Sequence, residues 1–273
     1  KFKTPLILIA SYKIVKNQMK KANFRKEINL INLSQLKNIN LNKNFLNIID
    51  VEYKIKNNSI TKSLETSKYI SKCFAISFDI LKKNISNKLI NGPVNKSNFL
   101  NKKFLGITEY ISNKFKIKKN AMLIYNEDLS VCPLTTHLPL KMVAKNITKK
   151  LIKEKILLID NFYLKNLGYK PKIAVTGLNP HCESIDNFNE DKEILLPAIK
   201  SLKKKRYKIF GPFSADTIFL KKNREKFNVI IGMYHDQVLA PMKTLFEYDA
   251  INITLGLPIT RISPDHGPNE KML

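Results

Sequence analysis

The chain has 273 residues, 44% of them hydrophobic, and carries 48 Lys and Arg against 22 Asp and Glu, a net charge of +26. That much apolar material can bury the core of one large domain or of two lobes. No apolar run reaches the roughly 18 residues of a membrane span, no signal-peptide cleavage pattern is present, and Cys73, Cys132 and Cys182 form no CxxC pair. A disulfide framework and a thiolate zinc site are therefore disfavoured, and the expectation is a cytoplasmic protein with no membrane partner.

In chain order, "PLILIA", "INLINL" and "NIIDVEY" read as strands. Across residues 61–83, apolar positions at Ile70, Cys73, Phe74, Phe78 and Leu81 recur with helical spacing. The runs "AMLIY", "LSVCPL", "KIAVTGL" and "NVIIGM" read as further strands. "LPLKMVAKNI" reads as a helix start, with Pro139 suited to the first turn and Leu140, Val143, Ala144 and Ile147 on one face. "DKEILLPAIKSL" reads as a helix that Pro197 either kinks or splits. This alternation predicts an α/β architecture with a largely parallel sheet, in which mixed pairing has a place. No internal repeat or long linker interrupts it.

The positive charge invites a nucleic-acid reading. The lysines, however, are scattered among Asn and Ile, as in "KNINLNKNFLNIID", which is the pattern of A/T-rich codons. No aromatic interleaving or binding module accompanies them, so no nucleic-acid partner is expected. A basic surface still attracts small anions.

Glycine is scarce. Seven of the eight fall in the segments "NGPVNK", "LGITEY", "VTGLNPH", "FGPFSADT", "IIGMYHDQ", "TLGLPITR" and "PDHGPNE", and three of the four histidines, His181, His235 and His266, lie in them. His137, His181 and His235 each follow a predicted strand, where ligands bind in open α/β sheets. Two readings stand: three imidazoles converging on a divalent metal, or three separate polar residues at strand ends. His266 has no predicted strand before it and is left out. Lys243, Asn252 and Arg261 suit a phosphate or a carboxylate, against the plainer reading of solvated surface charge. Asp216 reads as a helix cap or as a partner of a site group. No GxGxxG, Walker A, GxSxG or HExxH segment is present.

Taken together, "GPVNK", "GITEY", "TTHLPLK", "GLNPH", "GPFSADT", "MYHDQVLAPMK", "NITLGLPITR" and "DHG" resemble the 4-hydroxythreonine-4-phosphate dehydrogenase family, over most of residues 90–267. The resemblance implies two α/β lobes like those of isocitrate and isopropylmalate dehydrogenases, with NAD or NADP bound without a Rossmann glycine loop. It implies a first lobe over 1–105, to which the C-terminal end is a candidate to return, a second over 106–262, and a shortened C-terminal segment over 263–273. His137, His181 and His235 become ligands of one zinc, magnesium or cobalt ion per subunit. Thr108, Lys243, Asn252 and Arg261 become contacts to a phosphorylated amino-acid substrate.

The family is a homodimer with its site at the interface, so one histidine is a candidate to come from the partner. The implied reaction oxidises and decarboxylates 4-phosphooxy-L-threonine, for pyridoxal 5′-phosphate biosynthesis. Ile107 stands where the family has a histidine, and "CESID" replaces "AGEGG". The opening "GEPAGIGP" segment and the closing helix beyond "NEKML" are expected to be missing. The alternatives are a decarboxylating dehydrogenase of threonate or erythronate phosphate, a three-histidine metal hydrolase, and a truncated, inactive member.

Overall fold

In the computed structural model, which describes residues 3–37, 41–53, 64–95, 99–100, 104 and 106–267, the chain divides into two units. One is Lys1–Leu89 with Asn95–Lys103; the other is Ile90–Val94 with Phe104–Leu273. Among the described residues no helix is long and apolar enough to cross a membrane.

The first unit is built on strands β1 (Ile7–Ala10), β2 (Ile28–Leu30) and β3 (Leu46–Asp50). They lie in the order β1-β3-β2, all parallel. "INLINL" is a strand only to Leu30. The Asn32 side-chain oxygen Oδ1 then accepts the Ser34 amide at 3.1 Å, and this local bond turns the chain into a short 3-10 segment, Leu33–Gln35. The helix predicted over 61–83 runs Leu64–Lys82, with 61–63 outside the described residues. It places Ile80 against Ile31, Leu36 and Ile49, and Phe74 stacks on Phe78 at 5.7 Å.

Strand β4 (Lys88–Ile90) leads to β5 (Ala121–Tyr125), β6 (Ser130–Pro133), β7 (Ile173–Thr176), β8 (Ile209–Phe213), β9 (Val229–Gly232), β10 (Ile251–Leu255) and β11 (Thr260–Pro264). The sheet runs β4-β11-β10-β5-β6-β9-β7-β8. The half formed by β6, β9, β7 and β8 is parallel. Its neighbours β5, β10 and β11 pair antiparallel. Alternation along the strands supplies two cores. Leu123, Cys132, Val175 and Ile231 face Ile152, Ile156, Ile199 and Leu202, whereas Ile124, Val131, Ala174 and Ile230 face Val238, Leu239 and Met242.

One helical expectation is corrected, and the split that was one of the two outcomes expected at Pro197 is found. The predicted start at 138–147 yields only a 3-10 turn, Leu140–Met142, and one helical turn, Val143–Asn146; Leu140 is 69% exposed. Ile147 is extended, and the Thr148 hydroxyl then accepts the Leu151 amide at 3.1 Å, which starts a new 19-residue helix, Lys149–Leu167. Around Pro197 the chain is in two pieces: a π-turn, Asp191–Leu195, and a helix, Leu196–Lys204, with the proline in its first turn. There the missing N–H costs no hydrogen bond.

Candidate functional site

Because β6, β9 and β7 are neighbours running the same way, the loops leaving them emerge on one edge, and these loops carry His137, His235 and His181. The His137 and His235 rings lie 5.9 Å apart, centre to centre. His137 Nδ1 faces Glu109 Oε1 at 3.4 Å, and His235 Nδ1 faces Asp236 Oδ1 at 2.6 Å. A carboxylate at Nδ1 favours the proton there and leaves Nε2 as the ligating nitrogen. Gly106, which precedes the helix Ile107–Lys114, makes the approach of this helix feasible: a Cβ there would come within 2.7 Å of Glu109 Oε2 and 3.3 Å of His137 Cε1.

His181 sits differently. Its loop is pinned by the buried Asp191, whose carboxylate accepts the Leu178 amide at 2.8 Å and the Asn179 amide at 3.1 Å. Both His181 and Cys182 are left-handed, at φ 55° and 61°, a conformation that costs energy for residues other than glycine. Among the described residues, no three His, Cys, Asp or Glu side chains form a group able to hold a metal ion. The single chain thus brings His137 and His235 together without adding His181. Asp216 is exposed, and its carboxyl is held below the usual range first by the Ser214 hydroxyl and less strongly by His181.

The anion residues divide as well. Arg261, 2% exposed, stands opposite Thr254 on the antiparallel pair β10–β11. It donates from Nε to Asn91 Oδ1 at 2.8 Å, and from Nη1 to Thr254 Oγ1 at 2.9 Å and to Thr108 Oγ1 at 3.3 Å. Burial pushes the guanidinium down to about 10, against an upward pull from Glu109. It remains a cation at neutral pH, surrounded largely by neutral oxygens.

Lys243 is elsewhere. It is ion-paired to Asp265 and also donates to the Glu247 carbonyl at 3.1 Å. Asp265 lies four residues beyond Arg261, on the order of 13 Å along an extended chain. Its side chain is 1% exposed, and its second oxygen has no hydrogen-bond partner among the described residues. The same is true of Asn252 Oδ1. Thr108 and Arg261 are therefore joined, and Lys243 is not joined to them. His266, for which no preceding strand was expected, lies two residues past the end of β11; its ring meets Tyr248 edge-on at 5.4 Å.

Asn91, Glu109, Asp191, Gln237 and Asp265 are structural members of these clusters that the residue-by-residue reading passes over. The available signal was position: most lie within the glycine-punctuated segments, and Asp191 follows the His181 segment.

Residues 1–269 match the family model "Pyridoxal phosphate biosynthetic protein PdxA". The chain belongs to this family. Among similar PdxA-family relatives is the 4-hydroxythreonine-4-phosphate dehydrogenase of Sulfurihydrogenibium sp., 43% identical over 194 residues, which are 69% of this chain and 59% of that protein. The D-threonate 4-phosphate dehydrogenase of Salmonella typhimurium is 36% identical over 183 residues, 66% of this chain and 56% of that one. The crystal structure of 4-hydroxythreonine-4-phosphate dehydrogenase from Klebsiella pneumoniae superimposes with a TM-score of 0.79 at 26% identity, covering 97% of this chain and 82% of that one. The match spans 50 to 64% of the length of three of the curated relatives.

Proposed function

We propose that the chain catalyses the NAD(P)-dependent oxidation and decarboxylation of 4-phosphooxy-L-threonine to 3-amino-2-oxopropyl phosphate, in pyridoxal 5′-phosphate biosynthesis. It acts as a cytoplasmic homodimer with the site at the interface. The observation that supports this most is the placement of the buried Arg261–Thr108 pair beside Glu109, whose carboxylate faces His137, which in turn adjoins His235. The relatives' names point the same way.

His137 and His235 fit a divalent ion, because each has a carboxylate at Nδ1 and an Nε2 left to bind. His181 completes the set in the dimer, with the interface supplying what the single chain does not bring together. A zinc, magnesium or cobalt ion held there would lower the pKa of the substrate hydroxyl and offset charge on the oxygen after decarboxylation. The dinucleotide supplies the hydride acceptor, and no described residue is assigned to it.

Arg261 and Thr108 bind the phosphate, and Asn252 and Lys243, towards the far end of the β10–β11 pair, contact the rest of the substrate. Fixed donors of this kind orient the carbinol carbon and restrict its motion. Oxidation at that carbon gives a β-keto acid, whose carboxylate carbon leaves as CO2. The test is formation of reduced nicotinamide from 4-phosphooxy-L-threonine with NAD+ or NADP+ and each metal. No product under any combination sinks the reading and leaves the inactive-member alternative.

The alternative substrate, D-threonate 4-phosphate, rests on the 36% identical relative named for it and on Ile107 standing where the resemblance has a histidine. Steady-state rates on both compounds decide between them. The hydrolase alternative has no support from the relatives named above.

A further inference from the structure

Gln237 is the third residue of the helix His235–Phe246, and its side chain makes contacts that helix formation does not require. A glutamine at this position commonly reaches back to an amide just before the helix. Here Oε1 does accept the Met233 amide, at 2.6 Å. The same oxygen also accepts the Thr176 hydroxyl at 2.8 Å, and Nε2 donates to the Gly177 carbonyl at 2.9 Å. Thr176 and Gly177 are about 60 residues away in sequence, at the end of β7. One amide therefore ties the exit of β7 to the exit of β9.

Its surroundings are built to admit it. Thr176 and Met233 are fully buried. A Cβ at Gly232 would stand 3.0 Å from Gln237 Oε1 and 2.4 Å from Val238 Cγ1, so the strand end accepts this side chain only as glycine. Five residues beyond Thr176 the chain reaches His181, and two residues beyond Met233 it reaches His235.

We infer that Gln237 is a positioning residue, a clasp that sets the His181 loop against the His235 loop. The inference rests on the reading of those histidines as parts of one site. It goes beyond that reading by assigning the spacing of the two loops to one uncharged side chain. Glutamate in its place would set a carboxylate oxygen against the Gly177 carbonyl. Methionine would keep the length and lose all three bonds. Outer groups that orient metal ligands typically change affinity by roughly 10- to 100-fold when removed.

The experiment compares the full chain with Gln237→Met and with Thr176→Val, which removes one bond only. Hydrogen exchange is followed by mass spectrometry, and Co2+ binding by calorimetry and by the visible spectrum of the bound ion. The expected result is faster exchange confined to 177–183 and 233–236, an altered Co2+ spectrum and affinity about 10-fold or more weaker in Gln237→Met. Thr176→Val should shift in the same direction by less.

Unchanged Co2+ affinity and spectrum in both variants, with the unsubstituted chain binding the ion, overturns the inference. If the unsubstituted chain takes up no Co2+, the metal reading fails instead. Exchange alone then judges the clasp, and protection equal to that of the unsubstituted chain in both loops ends it. Should Gln237→Met not fold, Thr176→Val carries the same comparison.

Discussion

At the start of β11, Arg261 is buried among neutral oxygens; just past its end, Asp265 is buried against the Lys243 ammonium, whose side chain is 33% exposed. The strand thus carries one cation at its start and, past its end, a carboxylate that holds a second cation from the helix His235–Phe246. Arg261 has hydrogen bonds but little compensating charge, and burial lowers its pKa to about 10. Lys243 already has its carboxylate. A cation held mainly by neutral partners gains most when an anion arrives, which singles out Arg261 as the stronger phosphate group.

The sharpest way to break that contrast is Arg261→Met. It strands the oxygens of Asn91, Thr108 and Thr254, and should cost on the order of 3 kcal/mol in denaturant unfolding. KM for the phosphorylated substrate should rise at least about 10-fold, and Arg261→Lys should not restore it, because lysine lacks the planar fork.

Next comes Lys243→Met, which leaves Asp265 charged and buried at a cost of about 3 kcal/mol. Most of that loss should return in the Lys243→Met/Asp265→Leu double variant, read as coupling in a double-mutant cycle. Equal losses in the single and double variants would show that the pair contributes nothing specific.

Thr108→Val removes one hydrogen bond to Arg261 and should cost about 1 kcal/mol, with a smaller rise in KM than Arg261→Met. The smallest effect belongs to Lys155, a second cation in the field of Glu109. Burial lowers its pKa, and its ammonium donates to the Asn120 carbonyl at 2.5 Å. Between the lowered value and the ordinary 10.5, the unfolded chain binds more protons than the folded one. The contribution of this site to stability should therefore rise with pH across that window. Lys155→Met should flatten the rise in urea midpoints measured at increasing pH.

These contrasts also show what could be read in advance. "AMLIY", "KIAVTGL" and "NVIIGM" are runs of apolar and β-branched residues, and they form β5, β7 and β9 because such runs fit a sheet covered on both faces. The positions of His181 and His235 after strands followed from the last two of these runs, and that of His137 from "LSVCPL", which forms β6. The helix at 138–147 was not legible as it stands, because Leu140 faces solvent and the Thr148 cap restarts the chain. Its apolar spacing matched a helix that tertiary packing leaves one turn long.

The sequence alone determined the strand-forming runs, the glycine-punctuated segments at their ends and the residue types able to hold a metal and a phosphate. Only the tertiary structure decided that Thr108 serves Arg261, that Lys243 serves Asp265, and that Gln237 spans two loops. The physical reason is range. Strand propensity and glycine tolerance act through neighbouring residues, whereas these hydrogen bonds join positions 22 to 153 residues apart, and no local preference encodes which distant oxygen a donor will meet.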